Sequence, residues 1–510
     1  MTVGEILRFF ANRHPDKVAI HDRDKTITYG HFNQRVNRLA NTFLSQGFKP
    51  NENISIMLRN CSEYMEIVFA LAKIGVTCVP INVRLVGEEI KYIMNNSDSR
   101  ALILEEEFIE KISPIITDLK CEQDQYYLVG KRVWESAAPY EKLFEGSSPE
   151  EPSVQVDETS GLMMVYTSGT TGRPKGVIVT HRAQVLNYLA HSVEFGNSEK
   201  DIHLVAAPLF HSAGLSIAIQ QLFVGGTICI MRSFDPETAL KLIDEKKITN
   251  TFMVPTMYNF ILELPESEKL KHDISSMRIL ISSGAPLPTK IKERLIHFFK
   301  NAGLIEFYGA TEFANATYLK PEDQLKKTAC AGKPFLGVEI RLMNESMEQV
   351  AVNEVGEIFL KSPYMMAGYY KRDREGFEGE WFSVGDLARQ DEDGYYYIVD
   401  RKGDMIISGG VNIYPAEIEE ILYSIPAILE VAVIGVPDEQ WGESVKAVVV
   451  LKEGEEATEG EIMDFCKNRM AGYKLPKTVT FVDALPKSSS GKILKRVVRE
   501  EFWKGRDVKV

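Results

Sequence analysis

Short runs of aliphatic and β-branched residues alternate with amphipathic segments along the first part of the chain. One such run covers residues 53–58, and it is followed by a helical pattern at 63–74 and by a second run at 76–81. Runs of the same kind occur at 227–231 and 278–282. Strands that alternate with helices form parallel sheets covered on both faces, so the pattern predicts an α/β fold.

The pattern changes near residue 338, where short strands follow one another with turn residues between them. The strands are predicted at 339–342, 356–360 and 394–399. Close spacing of this kind, with turn residues between the strands, is typical of β-rich structure. The segment therefore predicts a small β-rich subdomain.

The chain beyond Asp400 predicts a compact α+β unit. Its elements, in chain order, are a helix at 415–423, strands at 430–434 and 444–451, and a helix at 459–470. A chain of 510 residues is too long for one core, so at least two domains are expected. We place the boundary near Gly403, which gives an N-terminal domain of residues 1–402 and a C-terminal domain of residues 403–510 that ends in a basic helix.

The net charge restricts the partners that the protein can bind. At −13, it gives no general attraction to nucleic acid or to anionic lipid. A polyanion would have to be held by a local group of cations. A small nucleotide fits that requirement better than DNA, and we expect no nucleic-acid partner.

Cysteine usage and the N-terminus favour a cytoplasmic protein. The cysteines show no Cys-x-x-Cys pair, and we predict that they are reduced and mostly buried: Cys61, Cys78, Cys121, Cys229, Cys330 and Cys466. No basic segment leads into an apolar one at the N-terminus, so a secretory signal is not expected. The most apolar stretch, 215–231, is interrupted by glycine and glutamine and predicts a buried helix followed by a strand rather than a transmembrane segment.

Residues 166–176 read Tyr-Thr-Ser-Gly-Thr-Thr-Gly-Arg-Pro-Lys-Gly. Glycines let backbone N–H groups approach a phosphate, hydroxyl groups add further donors, and Arg173 and Lys175 add positive charge. The composition predicts a polyphosphate-binding loop, with a mobile surface loop as the alternative. The four-residue spacing before Gly-Lys-Ser/Thr is missing, so a P-loop kinase or ATPase is disfavoured.

A second cluster, at 306–312, reads Glu-Phe-Tyr-Gly-Ala-Thr-Glu. It places an aromatic ring, a glycine, a hydroxyl and a carboxylate within one predicted turn. An adenine ring, a phosphate oxygen and Mg²⁺ would suit these neighbours. The alternative is a turn with a solvated glutamate.

Five segments occur in a fixed order along the chain: 166–176, 308–312, 383–387, 400–415 and 486–492. In their order and approximate spacing they resemble the AMP-forming acyl-CoA synthetases, which belong with adenylation domains and luciferases to one adenylate-forming superfamily. The resemblance covers nearly the whole chain. It implies a large N-terminal domain of two parallel-type α/β sheet subdomains plus a small β-rich subdomain, followed by a mobile α+β C-terminal domain.

The resemblance implies an ATP-dependent carboxylic acid:CoA ligase. The acid and ATP would give acyl-AMP and pyrophosphate, and coenzyme A would then displace AMP after the C-terminal domain has rotated. ATP, Mg²⁺ and coenzyme A are the implied cofactors and co-substrates, and the implied partners are small molecules. The sequence leaves a homodimer open.

By resemblance, the loop near residue 170 holds the β- and γ-phosphates of ATP. The residues implied are Thr167, Ser168, Gly169, Thr170, Thr171, Gly172 and Lys175. Glu312 would bind Mg²⁺, with Thr167 beside it. These assignments follow from the matched motif.

The remaining nucleotide contacts are also implied by the resemblance. Tyr308 would stack on adenine beside Gly309, and Thr311 would contact the α-phosphate. Asp386 would accept the ribose hydroxyls, while Arg401 would contact the ribose or a phosphate.

Lys492 follows a Ser-Ser-Ser-Gly segment and is the residue we expect to catalyse the first step. Attack of a carboxylate on a phosphate brings two anions together, and one cation between them stabilises the transition state. A solvated lysine on a basic tail is the alternative.

For the second step, the resemblance implies a pantetheine tunnel lined by Ser408, Gly409 and Gly410, with His211 controlling access to it. A buried core histidine is the alternative for His211. The hinge position carries Gly403 where many relatives have Lys or Asp. Residues expected near the CoA nucleotide are Arg84, Trp441, Tyr473, Lys474 and Lys477.

By analogy the acyl pocket is lined by apolar or small residues: Tyr188, Ser212, Ala213, Tyr258, Ser283, Phe307 and Gly309. They offer no obvious cation to a second carboxylate, which favours a monocarboxylic acid with an apolar chain or ring. We place medium- or long-chain fatty acids first and aromatic acids second. The alternatives are an adenylation enzyme that loads a carrier protein and a nucleotide-binding sensor without turnover.

Overall fold

The computed structural model describes residues 1–122, 124–167, 173–409, 411–438, 440–467, 469–488 and 491–504. Strands in these ranges form four sheets. Two of them are large, one is small, and the fourth belongs to the C-terminal part of the chain. Within the same ranges, no helix is both long enough and apolar enough to cross a membrane.

The first sheet has nine strands and a parallel centre. In spatial order they are β16 (Lys333–Pro334), β15 (Ala314–Leu319), β14 (Gly303–Ala310), β13 (Ile279–Ser282), β12 (Asn250–Met253), β10 (Ile202–Val205), β11 (Thr227–Ile230), β1 (Val18–Asp22) and β2 (Lys25–Thr28). In this spatial order, the six central strands from β14 to β1 are parallel to their neighbours. The edge strands β2, β15 and β16 each pair antiparallel with the strand beside them. Every residue of β11, β12 and β13 is buried, as a parallel sheet covered on both faces requires.

The second sheet has eight strands. In spatial order they are β19 (Gly368–Tyr369), β9 (Lys175–Thr180), β8 (Gly161–Thr167), β4 (Thr77–Pro80), β3 (Asn53–Met57), β5 (Ser99–Glu105), β6 (Tyr126–Val129) and β7 (Ala138–Pro139). The strands from β8 to β7 are parallel. Strand β9 returns antiparallel to β8, and the short β19 pairs antiparallel with β9.

Helices cover both faces of these two sheets. They are α1 (Val3–Arg13), α2 (Tyr29–Ser45), α3 (Ser62–Ile74), α4 (Gly87–Asn96), α5 (Ile109–Ile112), α6 (His181–Phe195), α7 (Ser212–Phe223), α8 (Pro236–Lys246), α9 (Pro255–Glu263), α10 (Glu266–Lys269) and α11 (Thr289–Phe298). One core joins α1, α2, α3 and α7 to strands of both sheets, so these helices lie between the sheets. Helices α8, α9 and α11 cover the outer face of the first sheet, and α4 and α5 cover the second. The predicted α/β architecture is confirmed.

The third sheet is small and antiparallel. It consists of β20 (Phe377–Glu378), β21 (Trp381–Phe382), β18 (Gly356–Lys361), β22 (Asp386–Gln390) and β23 (Tyr396–Arg401), with β17 (Glu339–Met343) paired to β18. This sheet is the predicted β-rich subdomain. Strand β23 begins at Tyr396 rather than at Gly394, because Gly394 has φ +80° and belongs to the preceding turn.

The fourth sheet forms the predicted α+β unit. Its strands are β25 (Val411–Ile413), β24 (Ile406–Ser408), β27 (Gly442–Leu451), β26 (Ile428–Asp438) and β28 (Thr478–Phe481). Helices α12 (Pro415–Leu422) and α13 (Glu459–Lys467) pack on one face, and α14 (Lys495–Trp503) packs on the other. Short 3-10 helices elsewhere lie at Glu106–Phe108, Ser113–Asp118, Tyr140–Phe144, Pro321–Asp323 and Gly472–Lys474.

The segment 306–312 is not the single turn that the sequence predicts. Tyr308 and Gly309 lie on β14, whereas Thr311 and Glu312 lie in the connection to β15. The two strands approach so closely that a Cβ on Gly309 would lie 2.1 Å from the carbonyl oxygen of Ala314. Glycine therefore permits an antiparallel pairing that extends the strand through this motif.

Two smaller predictions are confirmed. The apolar stretch 215–231 folds as most of α7 followed by β11. The six cysteines are free and buried.

Candidate active site

The residues predicted to bind the nucleotide converge where strands of three sheets begin or end. Thr167 is the last residue of β8, Tyr308 lies near the end of β14, and Asp386 is the first residue of β22. Side-chain hydrogen bonds join Thr167 to Glu312 and Tyr308 to Asp386. The carboxyl ends of parallel strands are where α/β proteins bind ligands.

Glu312 is a buried carboxylate, 7% exposed, with two hydroxyl donors on one oxygen. Thr167 Oγ1 donates to Oε1 at 3.2 Å, and the Tyr369 hydroxyl donates to the same oxygen at 3.1 Å. Mg²⁺ prefers oxygen ligands and is held in enzymes by one or two carboxylates together with substrate phosphates. Glu312 and Thr167 have the donor chemistry that such a metal needs.

Asp386 is 5% exposed and lies between Tyr308 and Arg401. The Tyr308 hydroxyl donates to Oδ2 at 2.6 Å, and Nε of Arg401 lies 3.3 Å from Oδ1. Burial raises the pKa of Asp386, and the charge of Arg401 opposes this shift. Oδ1 makes an ion pair with Arg401 but accepts no hydrogen bond from any residue that the structure describes. A buried acceptor of this kind suits a ribose hydroxyl.

Lys492 belongs to the C-terminal part of the chain but lies against the N-terminal part. A Cβ on Gly284 would be 3.3 Å from Cε of Lys492, so the lysine stem packs on that glycine. Burial lowers the pKa of Lys492, the charge of Arg401 lowers it further, and Asp386 and Glu312 raise it. The ammonium group therefore lies within electrostatic reach of both predicted nucleotide-binding carboxylates.

Two hydrogen bonds join Lys492 to Ser488. Ser488 N donates to the carbonyl of Lys492 at 2.6 Å, and Lys492 N donates to Ser488 Oγ at 3.1 Å. Two further contacts join the same parts of the chain: Thr289 N donates to Glu420 Oε1 at 3.1 Å, and Lys452 pairs with Glu263 at 3.3 Å. These contacts hold Lys492 in the site.

Thr311 and His211 lie on the side of the site that faces α7. The hydroxyls of Thr311 and Ser212 are 2.8 Å apart. His211 precedes α7 directly, and burial together with the charge of Lys492 lowers its pKa to about 4. His211 is therefore neutral at pH 7, and the influence of Lys492 places it near the predicted catalytic lysine.

The loop predicted to hold the β- and γ-phosphates is described only at its ends. Ser168, Gly169, Thr170, Thr171 and Gly172 lie outside the described residues. Beyond them, Lys175 begins β9 and pairs with Glu375 at 2.6 Å. Because Glu375 is about a third exposed, such a pair contributes about 1 kcal/mol or less.

The residues predicted for the pantetheine tunnel lie beside Trp441. Gly409 has φ +58°, and a Cβ there would lie 2.6 Å from the Trp441 ring. Gly409 N donates to the carbonyl of Trp441 at 2.8 Å, and Ser408 pairs with Gly442. Gly410 lies outside the described residues. Glycine is thus required at position 409 by its backbone angle and by the indole beside it.

The residues predicted for the CoA nucleotide are exposed or half-buried. Lys477 lies over the Trp441 ring at 5.6 Å, and Lys474 lies over the Tyr473 ring at 5.8 Å. Arg84 lies between β4 and α4. Within the described ranges, no ion pair or cation–π contact joins Arg84 to Trp441 or Tyr473.

The predicted acyl pocket includes buried aromatic side chains. Tyr188 and Tyr258 are fully buried, and the Tyr258 hydroxyl donates to the carbonyl of Ile281 at 3.0 Å. The ring of Phe307 is 6.1 Å from that of Phe252. Ser283 and Ala213, also predicted here, are buried and half-buried respectively. Tyr188, Tyr258 and Phe307 each belong to a different apolar cluster, and the acyl pocket stays a prediction.

Phe307 also contacts two side chains that the sequence did not indicate. Its ring lies 6.3 Å from Phe195 and 6.2 Å from His191. Burial lowers the pKa of His191 to about 4, so the imidazole is neutral at pH 7. His191 therefore supplies no cation for a second carboxylate.

Three residues of the site were missed by sequence reasoning. Tyr369 contacts Glu312, Glu375 pairs with Lys175, and Gly284 contacts Lys492. A run at 368–370, Gly-Tyr-Tyr, was the available signal for Tyr369. Glu375 is separated from Lys175 by 200 residues, and no local pattern connects them.

The chain matches two family models. The AMP-binding enzyme model matches residues 7–370, and the model of the AMP-binding enzyme C-terminal domain matches residues 417–492. The chain therefore belongs to the AMP-binding enzyme family, within the adenylate-forming superfamily.

Curated relatives and a solved structure agree with this assignment. The chain is 36% identical over 497 residues to a feruloyl-CoA synthase of Amycolatopsis sp, covering 96% of this chain and 97% of the relative. It is 34% identical over 483 residues to a long-chain-fatty-acid–CoA ligase of Mycobacterium tuberculosis, covering 94% of each chain. The crystal structure of the anthranilate CoA ligase AuaEII in complex with anthranoyl-AMP superposes with a TM-score of 0.92 at 27% identity, covering 98% of this chain and 97% of that one. The protein is an AMP-forming acid:CoA ligase.

Proposed function

We propose that this ligase joins a monocarboxylic acid with an apolar chain or ring to coenzyme A in two half-reactions. The observation that carries the proposal is the position of Lys492. Its side chain lies against Gly284 and within electrostatic reach of Asp386 and Glu312. An arrangement of this kind suits the first half-reaction, in which two anions must approach each other.

In the first half-reaction, a carboxylate oxygen of the acid forms a bond to the α-phosphorus of ATP, and the bond from that phosphorus to pyrophosphate breaks. Tyr308, Asp386 and Arg401 would hold the nucleoside. Thr311 and Lys492 would contact the α-phosphate, where one cation stabilises the charge that develops. The acid gains a good leaving group, AMP.

Glu312 and Thr167 fit a Mg²⁺ ion that arrives with ATP. When bound there, Mg²⁺ would neutralise phosphate charge and orient the leaving pyrophosphate. Lys175 would take a β- or γ-phosphate in place of Glu375.

In the second half-reaction, the thiol sulfur of coenzyme A forms a bond to the acyl carbon, the bond to AMP breaks, and the thiol proton is lost. We assign Gly403 as the hinge between an N-terminal domain of residues 1–402 and a C-terminal domain of residues 403–510. A Cβ at Gly403 would meet no atom of the described residues within 4 Å, and the Gly403 carbonyl accepts a hydrogen bond of 3.3 Å from Arg499. Rotation there would remove Lys492 and bring Ser408 and Gly409 to the acyl-AMP.

For the acid itself, we place medium- or long-chain fatty acids first. The apolar cluster around Phe307 and the long-chain-fatty-acid–CoA ligase relative support this order. An aromatic acid is the second candidate. The rings of Phe195, Phe252 and Phe307 offer flat faces, and the feruloyl-CoA synthase relative is 36% identical to this chain.

The test is a panel of acids assayed for pyrophosphate exchange and for AMP release with and without coenzyme A. The panel would contain octanoate, palmitate, ferulate, benzoate, succinate and phenylalanine. We expect exchange and CoA-dependent AMP release with octanoate or palmitate, then with ferulate or benzoate. AMP release that requires a carrier protein instead of coenzyme A would favour a carrier-loading enzyme. Absence of pyrophosphate exchange with every acid would refute the proposal.

We also assign the enzyme to the cytoplasm. Its six cysteines are free and buried, which fits a compartment that keeps thiols reduced. Fractionation of the native cell, followed by immunodetection, tests this location. Recovery in an oxidising compartment would contradict it.

A further inference from the structure

The short strand β19 (Gly368–Tyr369) lies between two residues predicted to bind Mg·ATP, Lys175 and Glu312. It pairs antiparallel with β9, with Tyr369 opposite Val177, two residues beyond Lys175. Close to it, Met366 N donates to the carbonyl of Glu312 at 2.8 Å. The backbone of this segment is therefore anchored both to the strand that carries Lys175 and to the connection that carries Glu312.

The side chain of Tyr369 makes the same connection. Its hydroxyl donates to Glu312 Oε1 at 3.1 Å, and Nζ of Lys175 lies 5.1 Å from the centre of its ring. The phenol O–H is the donor in this hydrogen bond, and the carboxylate oxygen is the acceptor. One rigid side chain thus contacts an anion through its hydroxyl and a cation through its ring face.

We propose that Tyr369 is a positioning residue that fixes Glu312 and Lys175 relative to each other for the pyrophosphate portion of Mg·ATP. This inference rests on the proposed function, because it takes Glu312 to bind the metal and Lys175 to bind a phosphate. A carboxylate that turns about its side-chain bonds must be ordered before it can bind a metal, and a lysine carries several rotatable bonds. Tyr369 restricts both side chains before the ligand arrives.

The alternative role of Tyr369 is packing. Its ring lies 6.3 Å from that of Phe382 and belongs to the edge of the large core. A packing role would not distinguish nucleotides that carry a pyrophosphate portion from AMP, which lacks it. Binding of the two nucleotides therefore separates the two roles.

The experiment compares Tyr369→Phe with Tyr370→Phe. The Tyr370 hydroxyl donates to Asp98 at 2.8 Å, so the control removes a tyrosine–carboxylate hydrogen bond from the neighbouring residue without touching Glu312. Calorimetry would measure the binding of Mg·ATP and of AMP in the absence of acid. Pyrophosphate exchange would give the Mg²⁺ concentration at half-maximal rate and the KM of the acid.

For Tyr369→Phe we expect a loss of affinity for Mg·ATP of about tenfold, the effect of one hydrogen bond to a charged group, and a matching rise in the Mg²⁺ requirement. Affinity for AMP and the KM of the acid should stay within about twofold of the wild-type values, as should all values for Tyr370→Phe. Tyr369→Leu, which also removes the ring from Lys175, should lose more affinity for Mg·ATP than Tyr369→Phe does.

Equal Mg·ATP binding by Tyr369→Phe and Tyr370→Phe would overturn the proposal, and so would an equal loss of AMP and Mg·ATP binding. Both results leave the proposed function standing. Failure of the wild-type protein to bind Mg·ATP, or to exchange pyrophosphate with any acid, would refute the proposed function itself and this inference with it.

Discussion

The hydroxyl of Tyr308 donates a 2.6 Å hydrogen bond to Oδ2 of Asp386, and both side chains lie inside the site. The bond fixes the rotation of the carboxylate and therefore the direction of Oδ1, which accepts no hydrogen bond within the described part of the chain. In the proposed function, that oxygen receives a ribose hydroxyl. The hydrogen bond between Tyr308 and Asp386 therefore orders the proposed nucleoside site before ATP binds.

Tyr308→Phe should raise the KM for ATP by about tenfold, because it removes a hydrogen bond to a buried charged group. Steady-state kinetics at saturating acid would measure the change. Tyr395→Phe is the matched control: it removes a 2.9 Å hydrogen bond to Asp323 and should leave the KM unaltered. Similar values for the two variants would contradict the role given to Tyr308.

Lys492→Ala should lower the rate of adenylate formation by on the order of 10²–10³-fold or more, because it removes the cation that stabilises the transition state. Thioester formation from supplied acyl-AMP should survive. Arg496→Ala serves as a control on the same segment, since Arg496 is exposed and pairs with Glu500. Equal loss of both half-reactions in Lys492→Ala would refute the catalytic role.

The pH dependence of adenylation should report Lys492. Its pKa is lowered from an ordinary value of 10.5, chiefly by burial and also by Arg401. The protonated form is the active one, so kcat/KM for ATP should fall as pH rises through the lowered pKa, before pH 10.5 is reached. Lys492→Arg stays protonated throughout this range and should lack that decline, although its rate is lower. A decline that persists in Lys492→Arg belongs to another group.

Gly403→Pro should separate the two half-reactions. Proline fixes φ at Gly403 and restricts Lys402, so rotation of the C-terminal domain is impeded. We expect adenylation within a few-fold of wild type and thioester formation reduced by about tenfold or more. Gly403→Ala is the control, because a Cβ there meets open space, and it should retain both activities. Parallel losses in Gly403→Pro would argue against a hinge at this position.

Much of the fold could be predicted from the sequence, because it depends on local periodicity. Buried runs such as 278–282 produce strands wherever helices cover both faces of a sheet. The same reliance on local patterns explains the wrong prediction of a single turn at 306–312. This segment pairs with β15 through the close approach of two backbones at Gly309, which no local pattern encodes.

The site was less accessible to sequence reasoning, because its contacts join distant segments. Lys492 and Asp386 could be predicted as site residues, because they lie in ordered motifs that resemble those of the AMP-forming acyl-CoA synthetases. Tyr369 and Glu375 could not, since their partners Glu312 and Lys175 lie 57 and 200 residues away. A two-residue strand such as β19 has no periodicity of its own.

The ion pair between Lys175 and Glu375 bears on the direction of the reaction. If ATP binds as proposed, its terminal phosphates exchange for the Glu375 carboxylate, whereas AMP is too short to reach Lys175 and leaves the pair intact. Once pyrophosphate departs, Glu375 returns to Lys175 and competes with its re-entry. The pair would then slow the conversion of acyl-AMP back to ATP and allow coenzyme A more time to capture the intermediate.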